Sequence, residues 1–528
     1  MIVLITASNQ HMRKGTATRW RFLWPAAATL LVWTLASEIA RSAFIPSPFA
    51  IAAQLWVDRA DYLPHLVATI SSATVGFAIG NGAAAVLAVL FLFVPELRGL
   101  MTPLTFVFSI PLILLVPIIG MAFSPELTKV MCAALLVYYP TLLITSVGLE
   151  NADPALVNVV LVSGGGRAAI FRKVRIRYGL AALAAGLQAA APLAILGSML
   201  GELTGARWGL GSYLLATMAQ AKPAKEWGIF FVCSGTAALA YRLVGVFLRP
   251  LRAPFTATEG RKDTVGSANS SRAPWSHLTA SLAGWFLAIV AWQGSTTLLK
   301  NPYFEKGPIQ IFEFGLLLPR DRWSDLGYAF VETLKWAGLG LLVGLGSAFL
   351  LAIILDLYPA LSPAVLPLAL ISQAVPIIAF IPLIVAIFGR GLLTTLAVTV
   401  SATFFPSFVT IHQGFQRTPV ALTDVLRAAG ASNICVLSKA KLPNALPFAG
   451  AAARLTAPRV LLGITLAEYL ATRSGLGSLM FEARGTLDFG MLWLIAVMTG
   501  VVSILFYYGI YYLELGIARR YGVSGVAV

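Results

Sequence analysis

Charged residues are scarce in this sequence and make up only 11% of its 528 residues, whereas soluble globular proteins carry about 25%. Hydrophobic residues account for 58%, and the mean hydropathy is +0.83. A membrane-spanning helix needs about 20 apolar residues, so the hydrophobic residues of this chain are enough for twelve such helices. This composition excludes a soluble enzyme, a disordered chain and a secreted disulfide scaffold, and it predicts an integral membrane protein in a lipid bilayer.

Cysteine is also rare. Cys132, Cys233 and Cys435 are far apart, lie in or beside apolar runs and form no Cys-x-x-Cys pair. This spacing supports neither a disulfide framework nor a thiolate metal site, so we expect small buried side chains and no metal. The four histidines are scattered and show no ligand spacing either.

No Gly-x-x-x-x-Gly-Lys-Ser/Thr phosphate loop occurs in the chain, so the usual means of binding ATP is absent. A glycine series at Gly338, Gly340, Gly344 and Gly346 superficially resembles a dinucleotide loop. It lies inside an apolar run with no strand before it, which indicates close helix packing instead. We therefore expect no catalytic residues and no cofactor in this chain.

Lys and Arg outnumber Asp and Glu by 38 to 22, a net charge of +16. In a soluble protein this excess favours nucleic-acid binding. In a membrane protein it reflects basic cytoplasmic loops, so we expect no nucleic-acid partner.

Apolar runs divide the chain into two sets of six. They occur at about 22–39, 66–94, 100–123, 129–149, 179–201 and 227–248, and at 275–299, 327–355, 361–388, 391–411, 446–470 and 489–514. We interpret Phe22–Ile39 as a retained first helix rather than a signal peptide. The stretch 253–274 is polar and suits a flexible cytoplasmic linker. The predicted domains are therefore 1–252 and 275–528, joined by this linker.

The second half repeats the first at an offset of 264 to 266 residues. Glycine and proline dominate the matches, so the halves share helix crossings and kinks. The pairs are Thr69/Thr333, Gly76/Gly340, Gly80/Gly344, Pro111/Pro376, Pro117/Pro382, Pro140/Pro406, Gly148/Gly414, Gly164/Gly430, Pro192/Pro458, Gly197/Gly463, Glu202/Glu468 and Gly209-Leu210-Gly211/Gly475-Leu476-Gly477. Six spans per half give both copies the same orientation. The predicted fold class is an all-α integral membrane protein with about twelve transmembrane helices as two parallel six-helix repeats.

Basic residues cluster in the loop after the fourth span of each half. The clusters are Arg167, Arg172, Lys173, Arg175 and Arg177, and Arg417, Arg427, Lys439 and Lys441. Cytoplasmic loops carry such an excess, so both loops and both termini are predicted to be cytoplasmic.

The second of these loops has a distinctive pattern: a short helix-forming stretch, Gly430 for a turn, a second amphipathic stretch, and a proline that ends it. Here the chain resembles the transmembrane permeases of ATP-binding cassette (ABC) importers, whose signature runs Glu-Ala-Ala, three residues, Gly, nine residues, Ile, any residue, Leu-Pro. Asp424, Gly430, Ala440 and Leu442-Pro443 occupy the signature positions. The first copy has Asn158, Gly164, Val174, Ile176 and Arg177 there, without the acid and the proline.

Other segments resemble the nitrate, sulfonate and taurine branch of these permeases. They are Ile45-Pro46-Ser47-Pro48, Val375-Pro376 through Pro382, Phe388-Gly389, Phe405-Pro406, Ala467-Glu468 and Ser474-Gly475-Leu476-Gly477. The resemblance covers nearly all of 40–250 and 300–520. Members of that branch usually carry one six-helix unit and dimerise, whereas this chain holds two units.

The resemblance implies an inner-membrane importer subunit for a small solute such as nitrate, a sulfonate, taurine or a related nutrient. Both loops would be coupling helices that dock on two ATPase subunits, which bind ATP and Mg. An extracytoplasmic binding protein would deliver the solute, and one fused chain would serve each transporter.

Candidate path or gate residues come from the prolines of the third spans, Pro111, Pro117, Pro376 and Pro382, and from ionisable residues within spans. Glu202 and Glu468 match in both repeats, so a structural hydrogen bond suits them as well as a cavity-lining role. Arg454 and Arg459 have no charged counterpart at Gln188 and Leu193. Five residues separate them by roughly 140° on a helix, so at most one serves an anion while the other contacts lipid headgroups or a neighbouring helix.

Two alternatives belong to other classes. A secondary transporter with two six-helix halves, driven by an ion gradient, needs acidic residues near the middle of the membrane and no coupling-loop spacing. A membrane-embedded enzyme needs clustered His, Asp or Cys residues. The loop spacing favours the ABC permease.

Overall fold

The structure is a computed structural model that describes residues 45–252, 274–299 and 306–520 except 221, 364, 367–368, 370–374 and 473, together with parts of 30–38. This part of the chain contains helices, turns and no strand. Most of the predicted first span and nearly all of the predicted linker lie outside the described residues.

In the first repeat, helices follow one another with short connections. They are α1 (Pro48–Val57), α2 (Arg59–Phe93), α3 (Met101–Ser109), α4 (Leu112–Ala122), α5 (Pro125–Glu150), α6 (Pro154–Val162), α7 (Arg167–Ile170), α8 (Ile176–Glu202), α9 (Leu210–Gln220), α10 (Pro223–Phe247) and α11 (Arg249–Arg252). A 3₁₀ helix, Pro95–Leu100, precedes α3, and a π-helical turn, Phe171–Arg175, joins α7 to α8.

The second repeat has the same order. Its helices are α12 (Pro274–Leu299), α13 (Pro308–Leu317), α14 (Arg320–Leu357), α15 (Ile377–Phe388), α16 (Leu392–Gln416), α17 (Val420–Ala428), α18 (Asn433–Val436), α19 (Leu442–Leu470), α20 (Leu476–Gly485) and α21 (Phe489–Arg520). Pro359–Leu361 is a 3₁₀ helix, and Leu437–Lys441 is a π-helical turn between α18 and α19.

Seven helices of the described chain are long and apolar enough to cross a membrane. They are Arg59–Phe93, Pro125–Glu150, Arg167–Glu202, Pro223–Phe247, Arg320–Leu357, Leu392–Gln416 and Phe489–Gly516. The helix Leu442–Leu470 is equally long but carries Arg454, Arg459 and Glu468, which lower its hydropathy. The all-α membrane architecture predicted from composition is confirmed.

Glycines let two long helices of each repeat cross closely. Gly76 of α2 lies against Ala133 of α5, and Gly340 of α14 lies against Thr399 of α16. A Cβ at Gly76 would collide with the Ala133 Cβ and the Val130 carbonyl oxygen, and one at Gly340 would collide with the Thr399 side chain. The repeated glycines therefore mark the same crossing in both halves.

The third span of the first repeat differs from its prediction. The run 100–123 predicts one kinked helix, but α3 and α4 meet at 91° across a break. Ile110 precedes Pro111 and takes an extended conformation, as residues before proline usually do, so α3 ends at Ser109. In the second repeat α15 begins directly after Pro376, which is also extended.

The two short helices that follow these breaks join the repeats. Helix α4 contacts α19, α20 and α21 of the second repeat, and α15 contacts α8, α9 and α10 of the first. Their side chains belong to one apolar core that draws residues from both halves, among them Ile113, Val116, Ile378 and Ile381. Pro117 and Pro382 lie within these helices and are buried.

We use two names for the ends of the bundle. The loop end carries residues 151–175 and 417–441, and the clamp end carries Glu202 and Glu468. The clamp ends of the two repeats are adjacent. Arg484 of the second repeat donates a hydrogen bond there to the Leu203 carbonyl of the first. The two basic loops therefore lie at the same, opposite end.

The glycine series on α14 gives a matched test of helix packing. Gly340 and Gly344 face Thr399 and Thr403, whereas a Cβ at Gly338 or Gly346 meets no atom within 4 Å. Gly340→Val should lower the thermal unfolding temperature of the purified protein, with a destabilisation of about 1–3 kcal/mol from overpacking. Gly338→Val should leave it within about 0.5 kcal/mol of wild type. Equal unfolding temperatures of the two variants would contradict the close crossing of α14 and α16 at Gly340.

Candidate functional site

The two basic loops have the same backbone construction. In each, a nine-residue helix, α6 or α17, is followed by a turn and a short helix, α7 or α18. Gly164 and Gly430 occupy the turns, both with φ of +78°. This left-handed conformation suits glycine because it has no Cβ. The sequence predicted a turn at Gly430, and the same turn is present in both copies.

The helices of these loops project apolar side chains away from the bundle. No residue of α6 is buried, and in α17 only Thr423 is. Val162 is 90% exposed, Val425 67% and Ile434 69%. Exposed apolar surface next to basic residues, at the end of a membrane bundle, is typical of a contact surface for another protein.

Pro443 does not end the second stretch as its sequence predicts. The π-helical turn Leu437–Lys441 continues directly into α19, and Pro443 lies in the first turn of that span. A proline there costs little, because the first N–H groups of a helix have no intrahelical partner. The loop is therefore connected rigidly to α19, and the corresponding loop of the first repeat continues into α8 in the same way.

The residues that match the signature differ in exposure. Asp424, Gly430, Asn158, Gly164 and Arg177 are exposed. Ala440 and Val174 are buried, at 2% and 6% exposure, and face the bundle. Leu442, Pro443 and Ile176 are half-buried.

Different ion pairs brace the loop end in the two repeats. In the second, Lys441 Nζ lies 2.6 Å from a carboxylate oxygen of Asp356, near the end of α14. In the first, Arg98 lies 3.0 Å from Glu150, the last residue of α5. A cavity of about 330 Å³ adjoins the second loop, between Asp356, Arg427 and Lys441.

At the opposite end, Glu202 ties three segments of the first repeat together. Its carboxylate accepts hydrogen bonds from Thr69 Oγ1 at 2.7 Å, Ser198 Oγ at 3.1 Å and the Gly211 backbone N–H at 2.6 Å. The Thr69 hydroxyl also accepts from the Leu210 N–H at 2.8 Å. Glu202 is 1% exposed. The carboxylate therefore holds the end of α8, the start of α9 and helix α2 in one buried network.

Glu468 makes the same threonine and backbone contacts in the second repeat. It accepts from Thr333 Oγ1 at 2.9 Å and from the Gly477 N–H at 3.0 Å, while the Leu476 N–H donates to Thr333 Oγ1 at 2.9 Å. Gly475 has a φ of +90°, and a Cβ there would meet the carboxylate. We call each network a clamp: Glu202, Thr69, Leu210 and Gly211 in one, and Glu468, Thr333, Leu476 and Gly477 in the other. Both glutamates have a structural role here.

Arg454 and Arg459 have different surroundings on α19. Arg454 forms an ion pair with Glu514 of α21 at 2.9 Å and lies over the Tyr511 ring. Arg459, five residues later on the same helix, is exposed. Within the described part of the chain, no hydrogen bond or ion pair reaches its guanidinium. Leu455, one turn earlier, is also exposed.

The chain matches one family twice. The description of that family is "binding-protein-dependent transport system inner membrane component", and its two matches cover residues 64–249 and 338–520. The chain belongs to this family of permeases. The predicted repeat is confirmed. Membership of this family identifies an ABC transport permease and excludes the secondary transporter driven by an ion gradient.

Curated relatives of this permease are named as transport permeases. A probable ABC transporter permease protein of Haemophilus influenzae is 29% identical over 42% of this chain and 89% of its own length. The formylaminopyrimidine transport permease protein ThiX of Halalkalibacterium halodurans is 28% identical over 37% and 76%. A putative aliphatic sulfonates transport permease protein SsuC of Bacillus subtilis is 29% identical over 28% and 51%.

Sequence reasoning missed several partners in this permease. Thr69 and Thr333 were recognised as a repeated pair, but their contact with the glutamates about 135 residues later was not predicted. Glu514, the partner of Arg454, and Arg484, which bridges the repeats, were not identified. A buried threonine repeated beside a repeated Glu was the available signal for the clamp.

The clamp can be tested at Thr333. Thr333→Val removes one donor to Glu468 and the acceptor of the Leu476 N–H, and leaving buried polar groups unpaired costs about 1–3 kcal/mol. Thr465→Val is the control, because Thr465 is equally buried and its hydroxyl bonds to carbonyls of its own helix. We expect a clearly lower unfolding temperature for Thr333→Val. A loss no greater than that of Thr465→Val would show that the Thr333 hydroxyl does not stabilise the fold through Glu468.

Proposed function

We propose that this chain is the complete permease of an ABC importer, with the translocation path between its two repeats. One observation carries the proposal: two loops with the same turn expose apolar side chains at one end of the bundle and continue directly into α8 and α19. A partner that binds both loops can therefore move two spans at once. Residues 1–252 and 275–528 would be the two permease units, joined by the linker at 253–274.

The partners on these loops would be two ATPase subunits, one on each loop. The chain has no phosphate loop, so ATP and Mg would bind to separate ATPase chains. Covering Val162, Val425 and Ile434 removes apolar surface from water, which favours association at about 25 cal/mol per Å² of apolar area. The residues in contact would include Asp424, Gly430, Asn158 and Gly164.

The orientation follows from charge. Basic loops remain on the cytoplasmic side of a membrane, so the loop end would be cytoplasmic, as would both termini. The clamp end would then face the outside of the inner membrane, where a solute-binding protein delivers its solute.

The packing supports alternating access. At the clamp end α4, α15 and their neighbours form a continuous apolar core from both repeats. At the loop end a cavity of about 330 Å³ lies between Asp356, Arg427 and Lys441. The described conformation would thus be open to the cytoplasm and closed outside. When ATP closes the ATPase subunits, the loops would move α8 and α19 and open the path outward, with Pro111, Pro117, Pro376 and Pro382 at the moving interface.

The solute would be a small nutrient of the kind named for relatives, and we favour an anion such as nitrate, taurine or another sulfonate. Arg459 has no ion pair among the described residues, and an unpaired guanidinium within a membrane span attracts negative charge. Only the second repeat has it, since the first has Leu193 at the aligned position.

Purified chain in proteoliposomes, with and without its ATPase and binding protein, tests the proposal. We expect ATP-dependent uptake only with both partners, and no hydrolysis by the chain alone above a vector-control background. Hydrolysis by the single chain, or uptake driven by an ion gradient without ATP, would overturn it.

The loops give a second test. Valine at Gly430 or Gly164 strains the same left-handed turn, so both variants should weaken coupling of hydrolysis to uptake. Gly430→Val should lose more, because its loop has Asp424 and Pro443 where the other has Asn158 and Arg177. Equal losses would show that the two loops are not specialised.

The two arginines of α19 can be tested separately, because Arg459 would lie on the solute path and Arg454 would stabilise the fold. Arg459→Gln should reduce uptake of an anion about tenfold while the unfolding temperature and ATPase assembly stay unchanged, since a charge attraction is lost. Arg454→Gln should lower stability instead, because Glu514 loses its partner, and the double variant with Glu514→Gln should regain it. Unchanged uptake in Arg459→Gln would remove the argument for an anion.

A further inference from the structure

Arg484 connects the two repeats at the clamp end. Its Nη1 donates to the Tyr469 hydroxyl of its own repeat at 2.8 Å and to the Leu203 carbonyl of the first repeat at 3.4 Å. The side chain is half-buried. Its helix, α20, also contacts α4 of the first repeat.

Both acceptors adjoin clamp glutamates in the chain. Leu203 follows Glu202, and Tyr469 follows Glu468. Leu203 and Tyr469 are buried in the core that both repeats share, and the Tyr469 ring packs edge-on against Phe481. Each clamp holds its segment rigidly, so the guanidinium links two fixed bodies rather than two mobile loops.

The link exists on one side only. The offset that aligns Gly477 with Gly211 places Met218 at the position of Arg484. Methionine has no N–H to donate. The pseudo-symmetric position therefore supplies apolar packing alone, and Arg484 provides the polar connection that crosses the interface here.

We propose that Arg484 is a latch that holds the clamp end closed, an inference that rests on the proposed alternating access. In the described conformation the guanidinium joins the two clamps. Opening of this end moves the clamps apart, breaks the bond to Leu203 and leaves Arg484 on Tyr469. A charge-assisted hydrogen bond of this kind is strong enough to shift a closed-to-open equilibrium about tenfold and weak enough to be broken in every transport cycle.

Accessibility of Leu203 tests the latch. The probe is Leu203→Cys in the full chain with Cys132, Cys233 and Cys435 replaced by Ala, reconstituted in nanodiscs and treated with a water-soluble maleimide. Leu203 is 5% exposed, so labelling should be slow. Arg484→Met, which copies the residue of the other repeat, should speed labelling about tenfold.

Arg207→Met is the matched control. Arg207 lies in the same loop as Leu203 and its guanidinium stacks on Trp208, so its loss should change labelling less than twofold. Tyr469→Phe keeps Arg484 but removes one acceptor, and should give an intermediate rate even where Arg484→Met folds poorly. Equal labelling of Arg484→Met, Tyr469→Phe and Arg207→Met would overturn the latch.

This assay needs neither ATPase nor solute. Failure of the chain to bind an ATPase would contradict the proposed function and leave the labelling result intact. Conversely, normal ATP-driven uptake with unchanged labelling of the Arg484 variant would reject the latch alone.

Discussion

The arrangement of both halves depends on two buried carboxylates, Glu202 and Glu468. In a bundle surrounded by lipid, water is not available to solvate a polar group, so each must find its partners within the protein. Each glutamate meets this demand by accepting from a threonine of an early span and from a backbone N–H of the segment that follows its own helix. Three segments of each repeat are therefore held together at one end.

This constraint affects how the molecule moves. Since each clamp fixes its own repeat internally, the halves are suited to move as two bodies across the interface formed by α4 and α15. The loops at the far end continue without a break into α8 and α19, the helices whose far ends carry the clamp glutamates. A displacement of a loop thus reaches the clamp end along one continuous helical path of about 36 residues in the first repeat.

The repeats share their backbone and differ in their charges. The turn, the clamp and the helix crossing are present twice. At the start of α2, the acidic Asp58 lies 3.9 Å from the basic Lys225. At the start of α14 the signs are exchanged, because the basic Arg322 lies 2.6 Å from the acidic Asp488. Arg459 and Arg484 have the apolar counterparts Leu193 and Met218. Fusion into one chain allows such one-sided residues, which a symmetric dimer of identical units cannot have.

Hydropathy and the repeated glycines and prolines were sufficient to predict the all-α membrane architecture, the duplication and the turn at Gly430, because these features depend on local composition. The break before Pro111 was predicted only as a kink, since a proline shows that a helix is disturbed but not by how much. Pro443 was misassigned because a proline is compatible with the first turn of a helix as well as with an end. The Arg454–Glu514 pair depends on tertiary packing across 60 residues, which no local pattern encodes.

The central claim is that one chain forms a whole translocation path and receives one ATPase subunit on each loop. Native mass spectrometry of the transporter purified through a tag on this chain measures that stoichiometry directly. We expect one copy of the 56.2 kDa chain with two ATPase subunits. Two copies of this chain in each complex, or one copy with a single ATPase at saturating concentration, would contradict it.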